Sequence, residues 1–567
     1  MTRVSYPRPR NTGKIPSLAA RRHDPTPLLL ASGLTQAAAA DLLAPFGLTD
    51  VKQADANLQS MAGEPRTRVL LAKILGELLD GLARTADPDQ GLNQWERFLQ
   101  AGLNRGQLFD YLNGTPRMNH LLSTIFGNSP SMADTLIRDP LLVYWLAEEQ
   151  VLTRRPTREM LATSLRMMLA NVKAAELRLD ALRRFRRRET LRIGVRDLLK
   201  LADVPETTTA LTDLACVLIQ AAYEIAEAGL REQHGRPMHK DRQGWTVETG
   251  FAVIAMGKLG GGELNFSSDV DLIYVYASEN GATVPGGRAG GRGSSQAISN
   301  EEYFERLARA VTKALADATQ EGHVFRVDLR LRAEGTSGQL ARSLDRYEQY
   351  YRTRGEQWER MALLKAWPVA GDRSVGEEFL GRISSFVYDG TKDREPAKVL
   401  AQVKAVKDMI DAKMEGRGQE RRNVKLGRGG IREIEFIVQA AQILCGGKRP
   451  QLLDRSTMGA LGKLASHRLL SAKDRQDLER AYLFLRDVEH KLQMVHDLQT
   501  HALPESSDEL ARCAIRLGYE ADNRQAAARR FLADHRRHTA GVHRIFRRLF
   551  DVPARSAFVK AARKQSE

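Results

Sequence analysis

Two short apolar runs, 250-GFAVIAMG-257 and 269-DVDLIYVYA-277, enclose the glycine-rich stretch 257-GKLGGG-262. Both runs are rich in β-branched and aromatic residues and are bounded by glycine or acid, which predicts two buried strands. Side chains alternate along a strand, so Asp269 and Asp271 share one face while Val270, Leu272 and Tyr274 share the other. Two carboxylates about 7 Å apart on one face repel each other. A divalent cation between them removes that repulsion, and the pair reads as a Mg2+ site with open positions for substrate phosphates. Gly257, Gly261 and Gly262 let backbone approach a phosphate closely, and their N–H groups can form an anion nest. Lys258 would add a point charge, and Ser267 and Ser268, just before the acidic pair, join the expected phosphate-binding set.

A third acid would complete a two-metal site. The run 323-HVFRVDLRLR-332 predicts another strand, with Asp328, Arg330 and Arg332 on one face. In-line phosphoryl or nucleotidyl transfer needs metals to orient the attacking and leaving oxygens, and arginines to neutralise developing charge. A lone Asp-x-Asp on a strand is more often a salt-bridged surface pair. The glycine turn before it and the third strand acid after it favour the metal reading.

Elsewhere the periodicity is helical. From about 27 to 245, apolar residues recur at i, i+3, i+4 and i+7 in segments such as 68-RVLLAKILGELLDGLA-83. A Gly/Ser-rich loop over 278–300 and a helix over 301–319 follow the two strands, and helical periodicity returns from about 395. The expected class is α+β, mostly α: a small mixed sheet flanked by helical domains. The expected boundaries are a disordered basic tail over 1–26, a helical domain over 27–184, a catalytic domain over 185–394, a helical bundle over 395–555 and a tail over 556–567.

The formal net charge is +16, which raises a nucleic-acid partner. The densest basic runs, 183-RRFRRRETLR-192 and 529-RRFLADHRRHTAGVHRIFRRLF-550, carry apolar residues at helical spacing and read first as solvated helix faces. No nucleic-acid partner is expected. Cys216, Cys445 and Cys513 stand far apart, which excludes a disulfide framework or a Cys-x-x-Cys zinc site and suits a cytoplasmic protein. No run of about 18 apolar residues is found, so no membrane span is expected. Arg21-Arg22 is separated from the apolar 27-PLLLASGLTQAAAADLL-43 by His23, Asp24 and Pro25, and is not read as an export signal. His490, His496 and His501 do not share a helix face, so no histidine metal site is expected.

The glycine turn, acidic pair and third acid together resemble the nucleotidyltransferase fold of the DNA polymerase beta superfamily, with Gly261 and Gly262 matching its turn. The full string GKLGGGELNFSSDVDL is similar to the glutamine synthetase adenylyltransferase family. So are 192-RIGVRDLL-199, 325-FRVDLRLRAEGTSG-338, 356-EQWERMALLKAWPVAGD-372, 424-VKLGRGGIREIEFIVQ-439 and 485-LRDVEHKLQMVHDLQTHALP-504. The resemblance implies bacterial enzymes that attach AMP to a tyrosine of glutamine synthetase and remove it again. Such enzymes are near twice this length and hold two nucleotidyltransferase copies. The strings NFSSD, QWERMALLKA and GRGGIREIEF resemble the copy that removes AMP by phosphorolysis. The expectation is therefore a Mg2+-dependent deadenylylase using phosphate, ADP and ATP as small ligands, and answering to a PII-type signalling protein. Its rivals are adenylylation from ATP at the same site, and a non-catalytic regulatory half that binds glutamine synthetase and the PII-type protein.

Two flanking motifs gain possible roles. In 356-EQWERMALLKAWP-368, Trp358, Met361, Ala362 and Lys365 fall on one helical face, and either the helix simply packs or Arg360 or Lys365 contacts phosphate. In 427-GRGGIREIEF-436, Glu433 and Glu435 open a helix, where its dipole favours carboxylates in any case. The functional alternative has Arg428 and the Gly429–Gly430 turn binding an anion, supported by Glu433 or Glu435.

Overall fold

The computed structural model describes residues 24–284, 297–389, 395–415, 421–496, 498–521 and 523–563. Residues 1–23 of the expected tail and 285–296 of the expected Gly-rich loop lie outside the described residues, as does the side chain of His496. The chain divides into two compact units, Met1–Ala133 and Asp134–Glu567, and the boundaries expected at 184/185 and 394/395 both fall inside the second.

The first unit is helical. Its helices Pro65–Ala83, Pro88–Gln100 and Pro116–Asn128 each start on a proline, whose fixed φ and missing N–H suit a first helical turn. Trp95, Phe98 and Phe126 pack edge-on and tilted at its centre, with centroids 5.1–6.3 Å apart.

Among the described residues of the second unit, eight short strands form two sheets. The minor sheet has the order β2–β1–β5, from Arg236–Lys240 (β1), Thr246–Glu248 (β2) and Ala282–Val284 (β5). The main sheet holds Phe251–Ala255 (β3), Val270–Tyr276 (β4), Val327–Asp328 (β6), Ala341–Ser343 (β7) and Trp367–Gly371 (β8). β3 pairs antiparallel with β4 and with β8, while β6 and β7 pair parallel with β4 in succession along its other edge. Every residue of β4 except Asp271 is buried, because helices cover both faces. Pro368 in β8 is accommodated because β8 is an edge strand, where a missing N–H costs no ladder bond.

The strand expected over 323–332 is cut to two paired residues. Beyond Asp328 the chain leaves the sheet as a loop through 329–340, pinned from inside by Arg332, whose guanidinium donates to the carbonyls of Leu329 (2.8 Å), Thr336 (2.9 Å) and Gly338 (3.0 Å). The helix Gln357–Leu363 ends before Lys365, leaving Trp358 at the surface while Met361 and Lys365 are buried, so the expected common face does not form.

Val204–His234 is long and apolar enough to cross a membrane, yet 72% of its most apolar window is buried inside the fold. It serves as the core helix behind the sheet, packed on Ala175–Leu198, Asn300–Ala316 and β8. The first basic run departs from a solvated face: Arg183 and Arg192 are buried and hydrogen-bond the Asp317 and Val151 carbonyls. Helices Pro396–Glu415, Ile431–Cys445, Ala472–His496 and Arg524–Phe550 share one hydrophobic core with the sheet, running from Ile254 and Ile273 through Ile434 and Leu485 to Phe546. The expected C-terminal tail contains a further helix, Ala557–Arg563, which docks Phe558, Val559 and Ala562 into that core.

Candidate active site

Register brings the acids together. Asp271 in β4 is the pairing partner of Asp328 in the parallel strand β6, and Asp269 lies two residues before Asp271. Register partners on neighbouring strands stand about 4.8 Å apart with side chains on one face. The Asp271 carboxyl is pushed up to about 6, by burial first and then by the charges of Asp328 and Asp269. Asp328 is held below the usual carboxylate range, chiefly by the side-chain hydrogen bond from Arg330. Asp269 accepts from Arg326 Nε at 2.7 Å, and the same guanidinium reaches the Ser267 carbonyl at 2.6 Å.

An all-oxygen donor set crowded enough to raise one of its own members fits a hard divalent cation. Asp269 and Asp328 are, however, turned onto arginines, and among the described residues no three acids, histidines or cysteines converge as a ready-made ligand set.

The glycine turn supports the acids in a different way from the one expected. Gly257 has φ +54°, and a Cβ there would stand 2.2 Å from Asp271 Oδ2, so only glycine lets the carboxylate lie on this backbone. The N–H groups of Gly260, Gly261, Gly262 and Glu263 donate back within the turn, to Met256, Gly257, Leu259 and Lys258 respectively. Gly261 and Gly262 therefore serve the tightness of the turn and offer no N–H groups to an anion. Gly260 abuts the Lys365 carbonyl so closely that a Cβ would come within 2.0 Å of it. Ser267 and Ser268 are buried in the turn leading to β4.

Several expected phosphate contacts are engaged elsewhere. Lys258 donates to Glu489 at 2.7 Å, and burial pushes its ammonium down to about 7. Arg330 is exposed and clasps Asp328, whereas Arg332 holds the loop. Arg360 is buried with its guanidinium 4.9 Å from the Phe386 ring centroid. Lys365 is buried between Glu263 (3.1 Å) and Glu435 (2.9 Å), and the two carboxylates raise its pKa despite burial. Glu433 is buried against Lys407 and His543, each at 3.3 Å. Arg428 is exposed, and Gly429, with φ +70°, packs on the Thr539 carbonyl. His490 contacts Asn265 and His501 contacts Glu489, so the two histidines have separate partners.

Sequence reasoning passed over two cations whose charges reach Asp271. Lys425 and Arg432 are positive charges that act on Asp271, beside Arg330. Lys425 sits in the turn before Ile431–Cys445, tied by the bond from the Arg432 N–H to its carbonyl (2.9 Å) and by the bond from the Val424 N–H to the His501 carbonyl (2.8 Å). Arg432 reaches Glu435 at 3.5 Å and lies 5.9 Å from the Phe436 ring centroid. Burial pushes the Lys425 ammonium down, and among the described residues none hydrogen-bonds it. Their one sequence signal was membership of 424-VKLGRGGIREIEFIVQ-439, in which attention fell on other residues. Lys425 and Arg432 are thus near enough to the acid cluster for their charges to oppose the rise at Asp271. Carboxylates with cations close by are the residue types that nucleotidyl transfer uses.

Comparison with known proteins agrees with this chemistry. A family model described as glutamate-ammonia ligase adenylyltransferase matches residues 119–382, and one described as GlnD PII-uridylyltransferase matches residues 404–550. The bifunctional glutamine synthetase adenylyltransferase/adenylyl-removing enzyme of Rhizobium meliloti (strain 1021) is 38% identical over 413 residues, 71% of this chain and 40% of that protein. The protein of the same name from Nitrosococcus oceani is 38% identical over 432 residues, 76% of this chain and 42% of its own. That of Aromatoleum aromaticum is 40% identical over 390 residues, 69% and 39% respectively. The matched region thus spans about 40% of the length of these curated relatives. On the shared motifs, the sheet that carries them and these likenesses, the chain belongs to the glutamine synthetase adenylyltransferase/adenylyl-removing enzyme family, as a homologue of part of the full-length proteins.

Proposed function

We propose that this chain removes AMP from an adenylyl-tyrosine of glutamine synthetase by phosphorolysis, releasing ADP. The observation that carries the direction is the meeting of three strings that resemble the AMP-removing copy. Lys365 of QWERMALLKA lies between Glu263, just ahead of NFSSD, and Glu435 of GRGGIREIEF, while Arg486 donates to the Glu263 carbonyl. The charges of Lys425 and Arg432 reach Asp271, which supports a reading in which these two cations take one phosphate ion.

In this reading Lys425 and Arg432 hold hydrogen phosphate with an oxygen in line with the AMP phosphorus. That oxygen forms the new P–O bond as the bond to the tyrosine oxygen breaks, and the proton carried in by hydrogen phosphate leaves on the tyrosine. Asp269, Asp271 and Asp328 would hold Mg2+, which when bound supplies charge neutralisation on the phosphoryl oxygens. Arg330 swings from Asp328 to the AMP phosphate, and Gly257 keeps Asp271 pressed against the turn. Positioning and charge neutralisation supply the catalysis without a covalent intermediate. The buried, unpaired cysteines suit a cytoplasmic enzyme. The likeness of 404–550 to an enzyme named for PII supports a PII-type signalling partner at the C-terminal helices.

The test uses the purified chain, Mg2+ and AMP-modified glutamine synthetase, following ADP and the AMP mass on the synthetase with and without inorganic phosphate. Phosphate-dependent ADP release is expected, with Lys425→Ala raising the KM for phosphate about tenfold to a hundredfold. Pyrophosphate formed from ATP and unmodified synthetase, without ADP release, would reverse the direction.

A further inference from the structure

A second polar cleft lies away from the acids. It has a volume of about 420 Å3 and is lined by Arg342, Arg346, Arg354, Glu334, Gln349 and Thr353, among others. That volume is in the range of ligand sites, about 300–1,000 Å3. Arg342 follows the start of β7 and pairs with Val275, near the far end of β4 from Asp271. At about 3.3 Å per residue, four residues along the strand place the cleft on the order of 13 Å from the acid cluster. The loop 329–340, which begins beside Asp328, supplies Glu334 and Ser337 to its wall.

The charge arrangement gives the ligand class. Arg346 is neutralised by Glu279 and by Glu301, the latter at 3.0 Å. Arg342 and Arg354 instead share one carboxylate, that of Glu334, which Arg354 meets at 2.8 Å. Both guanidiniums also lie on the ring of Tyr350, with centroids at 5.6 and 5.4 Å. Arg342 is 7% exposed, and its Nε has no hydrogen-bond partner. That Nε is closed off from solvent, so the groups that can meet a planar oxyanion in the cleft are the terminal nitrogens of Arg342 and Arg354, the same nitrogens that hold the Glu334 carboxylate. Glu334 holds its place from a left-handed backbone, φ +64°, a conformation non-glycine residues seldom adopt.

We propose that this cleft is a second anion site, in which Arg342 and Arg354 take the carboxylate or phosphate group of a small ligand while Gln349 and Thr353 hydrogen-bond its body. Glu334 stands in for that group in the free protein, as an internal carboxylate between the two guanidiniums.

Isothermal titration of the whole chain with succinate, and separately with inorganic phosphate, tests this. Succinate should bind one site, about tenfold more weakly in Arg354→Ala and unchanged in Lys425→Ala. If the group taken is phosphate, inorganic phosphate should show a site that survives Lys425→Ala and is weakened by Arg354→Ala. Because Arg342 is buried and its removal endangers folding, Arg342→Lys is the second variant. It keeps the charge, loses the fork, and should weaken binding by a similar factor. Absence of binding by both probes, or binding indifferent to both arginine variants, would overturn the proposal.

Discussion

Replacing Lys365 with methionine separates a structural lysine from a phosphate contact. Met matches the stem in length and removes the charge, leaving Glu263 and Glu435 buried without their shared cation. Glu263 keeps the Thr457 N–H at 2.6 Å, and Glu435 keeps Arg432 at 3.5 Å and the charge of Lys425. Removing one partner of a buried ion pair typically costs about 3–5 kcal/mol, because the remaining charge stays desolvated. The lysine is also the leading reason that the Glu435 carboxyl is held far below its usual range. For a depressed carboxylate, the stabilisation is present above the unfolded pKa and is lost as pH falls through the folded one. The Met variant should therefore lose most at neutral pH, and its deficit should shrink in strong acid. Hydrogen exchange of amides in Ile431–Cys445 reads local opening in a chain too large for a simple two-state melt. Exchange there should speed up roughly a hundredfold to a few thousandfold. Unchanged protection together with lost turnover would refute the structural role and return Lys365 to the phosphate.

Further outcomes concern the acids and their turn. Gly257→Ala must place a Cβ 2.2 Å from Asp271 Oδ2 at a positive φ, so turnover should fall about a hundredfold while circular dichroism stays unchanged. Asp271, raised to about 6, should make activity decline as pH falls through 6, and added Mg2+ should move that midpoint lower, because metal competes with the proton. A raised carboxyl disfavours the charged folded state, so without metal the fold should gain stability as pH drops from 6 toward 4, measured as the urea midpoint of wild type against Asp271→Asn, in which the gain should be absent. Gly429→Ala would bring a Cβ within 1.9 Å of the Thr539 carbonyl, and a loss of at least about 2 kcal/mol is expected from denaturant unfolding of the second unit.

Local pattern alone determined β3, the glycine turn and β4, because a short apolar run bounded by glycines has few other ways to fold. It likewise located Asp271 in β4, whereas Asp269, expected on the same strand, stands one residue before its start. The tertiary structure decided what each long basic side chain does. Lys365 meets acids 102 and 70 positions away, and Lys258 meets one 231 away, distances over which no periodicity carries information. Arg332 resembled a phosphate ligand only while its segment was read as a strand; once the chain leaves the sheet after Asp328, the nearest oxygens are the loop's own carbonyls. Lys425 went unnoticed for the opposite reason: its neighbours in sequence are ordinary, and Asp271, whose charge state it affects, lies 154 positions away. A long flexible cation takes the nearest oxygen available, and which oxygen is nearest is set by packing between elements remote in sequence.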